Sequence, residues 1–330
     1  MKKRSKLRKG LAVLLTATMV VGLIPDMGIM KVSAEGAYNE NGFADDGSYE
    51  PATLTTGTYD IDGNGENDNV YEIGNAGQLY WFAGLVNGTL TDVTQDTSAS
   101  AVLTQDITVN TGVLDGDGKL TSNPSSFTDW TPIGIRINGN DIKYTGTFDG
   151  KGYTISGLYF AGSTARLGFF GYVGSGGSVS NVGIVDSYFS GEDYAGGVCG
   201  VNSGSVTNCY HTGVVSGTTY VGGVCGANSG SVTNCYHTGA VSGSNTGGVC
   251  GVNDSSGNIT NCYYEIMDGI AGGIKGSDVT GKAQGKAKEA FNEGVVAYLL
   301  SHGSIDGSIW GQTLTGEGQQ AYPVLGGAAV

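Results

Sequence analysis

Residues 194–217 read YAGGVCGVNSGSVTNCYHTGVVSG and residues 220–243 read YVGGVCGANSGSVTNCYHTGAVSG, so one unit returns nearly unchanged after 26 residues. A looser copy begins at Gly247, an upstream copy keeps the same frame from Gly168, and a short stub begins at Gly272. A repeat period of about 20 to 50 residues is typical of a solenoid, in which each unit buries its apolar side against its neighbours. The repeat therefore indicates a stacked architecture.

Each unit holds three short runs of β-forming residues, near Val198, Val206 and Val214, separated by Asn-Ser-Gly or Thr-Gly turns. At ~3.3 Å per residue, such a unit makes about one circuit of a coil, and successive coils stack at the ~4.8 Å strand spacing. Between Gly196 and Tyr264 the only charged residue is Asp254. Stacking requires this, because a charge in the repeat would become a ladder of like charges. The sequence predicts an all-β protein, a right-handed parallel β-helix or β-solenoid with short helical caps at both ends.

The flanks of the repeat differ from it in composition and are expected to cover the ends of the stack. Asn75 followed by Gln78 resembles a capping box, and Gly88 can end the helix that they begin. A second helical stripe lies near the C-terminus, at Phe291, Val295 and Leu299.

Residues 1–34 have the pattern of a secretory signal, with a basic n-region, an apolar stretch from Leu11 to Ile24 and then the cleavage-like triplet Val32-Ser33-Ala34. The whole chain divides into six predicted segments. They are a signal peptide at 1–34 cleaved after Ala34, an acidic lead-in at 35–58 expected to be loose, an N-terminal cap with one helix at 59–100, irregular first coils at 101–166, the repeat solenoid at 167–276 and a C-terminal helix and strand cap at 277–330.

Composition and charge exclude several classes of protein and of partner. Of 330 residues 60 are Gly and 5 are Pro, which excludes a helical protein and collagen. After the predicted cleavage the chain has 9 basic and 29 acidic residues, a net charge of −20, so nucleic acid is not an expected partner. No second apolar stretch follows, so no membrane span is expected after cleavage. The expected location is extracellular, secreted or at the cell surface.

The repeat units resemble the GLUG motif, a short Gly-rich repeat of bacterial surface proteins that are adhesin-like, also found in the non-catalytic part of immunoglobulin A peptidases. The resemblance extends over about 70–325 and includes further segments. They are QLYWF at 78–82, LTQDI at 103–107, WTPIG at 130–134, GTFDGKG at 146–152, WGQ at 310–312 and YPVL at 322–325. It implies a fold and a location, and it supplies no catalytic residues.

Six cysteines lie in the repeats, one pair in each of three units, and they are candidates for disulfides within a coil: Cys199 and Cys209, Cys225 and Cys235, Cys250 and Cys262. Secretion favours this pairing, whereas cysteines in stacked coils would lie ~4.8 Å apart, beyond the ~3.8 Å mean for disulfides. The alternative is that they are reduced and serve as small apolar wall residues.

An acidic stretch at 60–71 follows part of a calcium-loop pattern, with ligand candidates Asp60, Asp62, Asn64 and Asp68. Position 12 of the pattern is Tyr71, and Glu72 comes one residue late, so the bidentate carboxylate is missing or displaced. We expect no cofactor other than weakly bound calcium, and the alternative is an acidic turn that needs no metal.

Two series of tyrosines recur with the repeat. Tyr210, Tyr236 and Tyr263 share the parity of Val206 and are expected to stack inside the solenoid. The second series, Tyr194 and Tyr220, could stack on sugar rings if it faces outward. His211 and His237 are also repeat-equivalent, and we expect a ladder at a polar strand position.

These features predict a structural, adhesin-like protein, not an enzyme, that presents an extended face to a host or environmental glycan, a matrix protein or a cell-wall component. One alternative is a carbohydrate-active β-helix enzyme, a polyuronate lyase or glycosidase, which needs clustered carboxylates. A second is a non-catalytic piece of a larger adhesin or peptidase. The enzyme would have to use charged residues of the irregular coils: Asp149, Lys151, Arg166, Asp186 and Asp193.

Overall fold

The computed structural model describes residues 38–304 and 306–327, and it is a β-solenoid of stacked parallel coils. Equivalent positions of the repeat lie directly over one another, since Cys199 pairs with Cys225 and Val206 with Val232. The predicted fold class is confirmed, and the sequence period is the length of one coil. The predicted signal segment, residues 1–34 with its cleavage site, lies outside the described residues.

The N-terminal part holds nine strands and one long helix. They are β1 (Thr53–Tyr59), β2 (Asp68–Ile73), α1 (Ala76–Asn87), β3 (Ser100–Leu103), β4 (Ile107–Thr108), β5 (Arg136–Ile137), β6 (Asn140–Asp141), β7 (Thr147–Asp149), β8 (Thr154–Ser156) and β9 (Tyr159–Ala161), with a short 3-10 turn at Pro124–Ser126. Strands β1 and β2 form an antiparallel hairpin, and β2 pairs in parallel with β3 to start the stack.

The repeats contribute three strands or more to each coil. They are β10 (Phe170–Val173), β11 (Ser178–Ser180), β12 (Gly183–Ser190), β13 (Ala195–Gly196), β14 (Cys199–Asn202), β15 (Ser205–Thr207), β16 (Tyr210–Gly222), β17 (Cys225–Asn228), β18 (Ser231–Thr233), β19 (Tyr236–His237), β20 (Val241–Gly247), β21 (Cys250–Asn253), β22 (Asn258–Thr260) and β23 (Cys262–Glu265).

The C-terminal part adds β24 (Ala283–Lys286), α2 (Lys288–Asn292), α3 (Val295–Leu300), β25 (Trp310–Gly311) and β26 (Val324–Leu325). Among the residues that the structure describes, no helix is both long enough and apolar enough to cross a bilayer.

Three sheets run along the stack. One has eight strands in the order β1-β2-β3-β7-β11-β15-β18-β22, and a second has four in the order β10-β14-β17-β21. The third has ten strands, with β24-β23-β19-β16-β12-β8-β4 as its main path. The interior between them is filled by buried columns of repeat residues such as Val206, Val232 and Ile259. Asp254, the one charged residue between Gly196 and Tyr264, is exposed beside a turn.

Helix α1 has the predicted caps. The Asn75 side chain accepts a hydrogen bond from the Gln78 backbone amide at 2.9 Å, and the Gln78 side chain accepts one from the Gly74 amide at 2.7 Å. Gly88 ends the helix with a φ of 67°. The helix is almost fully buried, and the Phe82 ring packs 6.2 Å from that of Phe148 in the first coils. It therefore packs against the interior of the first coils.

The segment predicted as a loose lead-in is instead folded onto this cap. From Tyr38 to Glu50 the chain makes tight turns, with bridges between Tyr38 and Ala44 and between Phe43 and Tyr49. The Phe43 and Tyr49 rings pack on Tyr80 of α1 with centroids 5.6 and 5.3 Å away. Two aromatic side chains thus order a segment that its acidic composition had suggested was loose.

Asparagines at two corners of the coil form amide ladders. Asn202 donates to Asn228 at 2.8 Å, and at another corner Asn208 donates to Asn181 at 3.0 Å. A primary amide both donates and accepts, so identical Asn residues can hydrogen-bond from coil to coil. The second corner also changes direction, because Asn208 has a φ of 52°, in the left-handed region that Asn tolerates.

This corner overturns the predicted position of one tyrosine series. After Asn208 the alternation restarts, so Cys209 points into the core and Tyr210 points out of the coil. Tyr210 and Tyr236 do stack, with ring centroids 5.0 Å apart and planes 7° apart, but on the flank of the solenoid. Strict alternation from Val206 was therefore a wrong basis for an interior stack.

The C-terminal helix is also different from its prediction. Gly294, with a φ of 79°, breaks the expected continuous helix into α2 and α3. The break moves the buried face, so Val296 and Leu300 are buried and Val295 is 43% exposed. The segment lies along the flank of the ten-stranded sheet, where Phe291 and Trp310 cover the Tyr210 and Tyr236 rings.

Candidate functional site

A groove follows the outer face of the four-stranded sheet. Its floor is one column of side chains from successive coils, Tyr172, Val201, Ala227 and Val252, which the strand register stacks over one another. The groove has a volume of about 330 Å³ and spans three coil-to-coil steps, about 14 Å at the spacing of strands. Beyond Tyr172 the floor consists of small apolar residues, Val201, Ala227 and Val252, so it is even over three coils.

One wall of the groove is built from residues at a corner of the coil. Arg166, Tyr194 and Tyr220 occupy equivalent positions there, and all have a left-handed backbone with φ of 62°, 62° and 58°. Such a backbone is an outlier for a bulky residue and costs about 1–3 kcal/mol. Gly226 makes room for it, since a Cβ at Gly226 would lie 2.6 Å from the carbonyl carbon of Tyr194.

The tyrosines of this wall form a short row along the axis. The Tyr194 and Tyr220 rings are stacked, with centroids 5.3 Å apart and planes 18° apart, and both side chains are partly exposed. The next coil has Asn245 in this position, so the row of rings ends at Tyr220. The ring at the end of the row therefore has a face with no further ring from the repeat stacked on it. The prediction that this series could face outward agrees with its position.

The other end of the row is cationic. The guanidinium of Arg166 lies 5.9 Å from the Tyr194 ring centroid and 5.8 Å from that of Tyr172, and the ammonium of Lys143 lies 4.8 Å above Tyr172. Arg166 also pairs with Asp141, with Nη2 and Oδ2 3.0 Å apart. Cations over aromatic faces are held there by the ring quadrupole.

The far end of the groove is anionic. Asp254 is exposed and accepts hydrogen bonds from the hydroxyls of Ser229 and Ser256. These bonds hold the pKa of the Asp254 carboxyl below its ordinary value, with Ser229 as the largest cause. The groove thus has a cationic end and an anionic end, joined by an apolar floor.

A second, larger groove of about 690 Å³ lies between the coils and the C-terminal segment. It contains Asp149 and Lys151, which form an ion pair at 2.9 Å, together with Tyr153. Asp186 lies elsewhere, where its carboxylate accepts from the backbone amides of Val113 and Leu114. Asp193 lies beside Arg166, whose backbone amide donates to the Asp193 carbonyl at 2.8 Å. The charged residues that the enzyme alternative needs thus include two neighbouring pairs, Asp149 with Lys151 and Arg166 with Asp193, at two different grooves, and Asp186 apart from both.

The predicted calcium ligands are brought together in part. Carboxylate oxygens of Asp60, Asp62 and Asp68 lie within 4.8 Å of one another in an exposed loop. The Asn64 side-chain oxygen is engaged, because it accepts from the Glu66 amide at 2.7 Å. The position-12 residue, Tyr71, packs against Trp81 instead. The late carboxylate also has another partner: Glu72 accepts from Tyr59 at 3.0 Å.

The six cysteines are free and buried. They form two ladders along the stack, one containing Cys199, Cys225 and Cys250 and the other Cys209, Cys235 and Cys262. The two members of each predicted in-coil pair thus belong to different ladders. Burial raises the pKa of the thiols at Cys225 and Cys235 well above its ordinary value. This arrangement agrees with the alternative prediction of small apolar wall residues.

The histidines form a buried ladder in the interior. The His211 and His237 rings are stacked with centroids 5.1 Å apart, and both residues are 0% exposed. Burial lowers the pKa of His237 to about 4, and burial together with the neighbouring His237 lowers that of His211 well below its ordinary value. Both are therefore neutral core residues at pH 7, and not a surface site.

Sequence reasoning missed the cationic end of the groove. Arg136 lies in the short β5–β6 hairpin and Lys143 follows it, both more than 20 residues before Arg166, and no repeat relates them to the tyrosines. The corner at Arg166, Tyr194 and Tyr220 did offer a signal for the groove. Bulky residues occur there, at a left-handed position that Asn or Gly usually occupies.

Fold and groove together define the class of protein: a β-solenoid with an open, tyrosine-walled face. No profile of a known protein family matches the chain, so the GLUG resemblance remains a prediction.

Two similarities to known proteins were found. Halomucin of Haloquadratum walsbyi (strain DSM 16790 / HBSQ001) is 35% identical over 80 residues, which are 24% of this chain and 1% of that protein. A solved structure, a candidate immunoglobulin A1 protease from Bacteroides ovatus, is 19% identical with a TM-score of 0.43, over 78% of this chain and 92% of that one. The first relative is thus matched over only a small part of its length.

Proposed function

We propose that this protein is a secreted or cell-surface structural protein that uses the groove on its four-stranded sheet to bind a glycan, and that it catalyses no reaction. The predicted signal segment supports the location. The stacked coils support the structural role, because a solenoid offers one continuous face several coils long. A matrix protein or a cell-wall component is the other kind of partner that such a face could take.

The observation that carries the proposal is the row of Tyr194 and Tyr220. Sugars present flat C–H faces and hydroxyl edges, and a tyrosine offers an apolar ring and a polar tip to match them. Both phenols sit at the rim of a groove whose floor is apolar. Both tyrosines have a left-handed backbone, which is unfavourable for a bulky residue. Such backbone strain is found mostly at binding and active sites.

The placement of carboxylates favours binding over hydrolysis. A glycosidase needs two carboxyl groups about 5 to 10 Å apart across the scissile bond. The acids that line the tyrosine groove are Asp141 and Asp254, at its two ends. Asp141 is also paired with a cation, and Asp254 is held by serine hydroxyls.

A glycan array with the purified mature chain tests this proposal. We expect saturable binding without cleavage of the bound sugar, and we expect the double variant Tyr194→Ala, Tyr220→Ala to lose it. Tyr298→Ala is the matched control, since Tyr298 is a 45% exposed tyrosine on α3, outside the groove. Binding that survives the double variant, or release of shorter saccharides, would contradict the proposal.

A further inference from the structure

We infer that the glycan carries a carboxylate and that its acid group is seated at the Arg166 end of the groove. This inference rests on the proposed function and specifies the substrate class of the same groove. It follows from an unusual distribution of charge around the tyrosine row.

Basic residues are rare in this molecule, and three of them lie together at one end of the groove. After the predicted cleavage the chain has 9 basic residues against 29 acidic ones. Three of the nine, Arg136, Lys143 and Arg166, surround Tyr172 and Asp141 at one end of the groove. Only one carboxylate, Asp141, forms ion pairs with these three cations among the described residues, so pairing offsets one of their three positive charges.

The cations have unused capacity for an acid group. Arg166 lines the groove with 15% of its side chain exposed, and its Nε, which is buried, has no hydrogen-bond partner among the described residues. Arg136 is weakly paired, with its Nε 3.7 Å from Asp141 and its side chain 49% exposed. Lys143 is exposed above the Tyr172 ring. A carboxylate placed among them would gain charge-assisted hydrogen bonds that Asp141 alone does not provide.

The opposite end of the groove fixes the direction of the ligand. Asp254 lies about three coil steps away and repels a second acid group. A ligand therefore fits best with its carboxylate near Arg166 and its neutral hydroxyls at the other end, where the Asp254 carboxylate accepts hydrogen bonds and the Ser229 hydroxyl can donate or accept. The ~14 Å length of the floor suits a short run of two or three sugar units.

Two sources supply this chemistry, uronic acid polymers and sialylated glycans, and calorimetry with matched probes distinguishes them. The probes are tri-galacturonate with its methyl ester, and sialyllactose with lactose. Within at least one pair we expect the charged probe to bind about tenfold more tightly than the neutral one, a difference of about 1.4 kcal/mol. The preference should weaken as salt is raised from 50 to 500 mM, because the cations are partly exposed.

The variant Arg136→Gln, Lys143→Gln tests the cationic end. It changes two exposed side chains, so the fold should persist, and we expect the charged probe to weaken about tenfold while the neutral one is unchanged. Lys119→Gln, an exposed lysine of the N-terminal part, is the matched control and should change neither. Arg166→Gln is the second variant, read only where circular dichroism shows the solenoid intact.

The outcomes separate this inference from the proposed function. Equal binding of acid and ester, and of sialyllactose and lactose, would overturn the acidic class and leave glycan binding standing. No binding of any probe, with an empty glycan array, would overturn both. If poly-glutamate bound as tightly as the charged sugars, the cations would recognise an acidic peptide, and the inference that the ligand is an acidic glycan would be overturned.

Discussion

The two tyrosine series come from the same repeat, but one is buried and the other is partly exposed. Tyr210 and Tyr236 are buried beneath the C-terminal segment, and Tyr236 donates its hydroxyl to the Pro323 carbonyl at 2.7 Å. Tyr194 and Tyr220 stand on another side of the coil with nothing from the C-terminal segment over them among the described residues. A stacked ring is therefore structural where the chain covers it, and it is available to a ligand where it is left open.

Truncating a ring in each series should give very different losses of stability. Tyr236→Ala removes a fully buried ring and its hydrogen bond, and we expect the free energy of unfolding to fall by about 3–5 kcal/mol. Tyr220→Ala removes one partly exposed stacked ring, and we expect a loss of about 1 kcal/mol. Urea titration followed by circular dichroism measures both.

The control for this pair is Tyr236→Phe, which keeps the ring and removes one hydrogen bond, so we expect it to cost about 1 kcal/mol. Equal losses from Tyr236→Ala and Tyr220→Ala would mean that both series are structural. The proposal that Tyr194 and Tyr220 bind a ligand would then lose its main support.

The histidines beside the covered series predict a dependence on pH. The unfolded chain binds a proton on each histidine near pH 6.5, whereas burial holds the pKa of folded His237 at about 4. Because the unfolded state then binds more protons, stability is fully present above pH 6.5 and is lost as the pH falls from 6.5 toward 4. His237 alone should account for about 3 kcal/mol of that loss.

The double variant His211→Gln, His237→Gln isolates this effect from the many carboxylates. Its free energy of unfolding should change less steeply between pH 6.5 and 4.5, by up to about 1.4 kcal/mol per pH unit for each histidine removed. Identical slopes in the two proteins would show that the ladder does not titrate on unfolding.

Sequence alone could predict the parts of the fold that the repeat or local capping determines. The coil length and the caps of α1 at Asn75 and Gly88 are of this kind. Periodicity could not predict the direction of Tyr210, since one left-handed residue, Asn208, resets the alternation. Nor could it place the cationic end of the groove, because Lys143 reaches Tyr172 only through tertiary packing.

The two buried cysteine ladders predict a third and smaller loss of stability. The thiols are free in the structure, so titration with a thiol reagent in denaturant without reductant should count six. Cys199→Ala and Cys209→Ala should each cost about 1 kcal/mol, and the double variant should cost their sum. A count of zero thiols, with a double variant no worse than either single one, would establish the in-coil disulfides that secretion favours.

Calcium should produce the smallest effect and should leave both tyrosine series unchanged. The loop offers carboxylates from Asp60, Asp62 and Asp68, but it lacks the bidentate ligand, so we expect a Kd of about 1 mM or weaker. At 10 mM calcium, a Kd of about 1 mM raises the free energy of unfolding by at most about 1.4 kcal/mol, and weaker binding raises it by less. Thermal unfolding with and without 10 mM calcium measures this shift.

The variant Asp60→Asn, Asp68→Asn should abolish the calcium shift, and magnesium should not reproduce it, because Mg²⁺ dehydrates reluctantly and demands a strict octahedral geometry. Asp60 also accepts from the Gly63 and Gly65 amides, at 2.8 and 2.9 Å, and Asn can keep one such bond. A calcium shift that persists in this variant would place the ion elsewhere. If that shift were instead lost in Asp254→Asn, the ion would lie at the anionic end of the groove, and calcium would then belong to ligand binding.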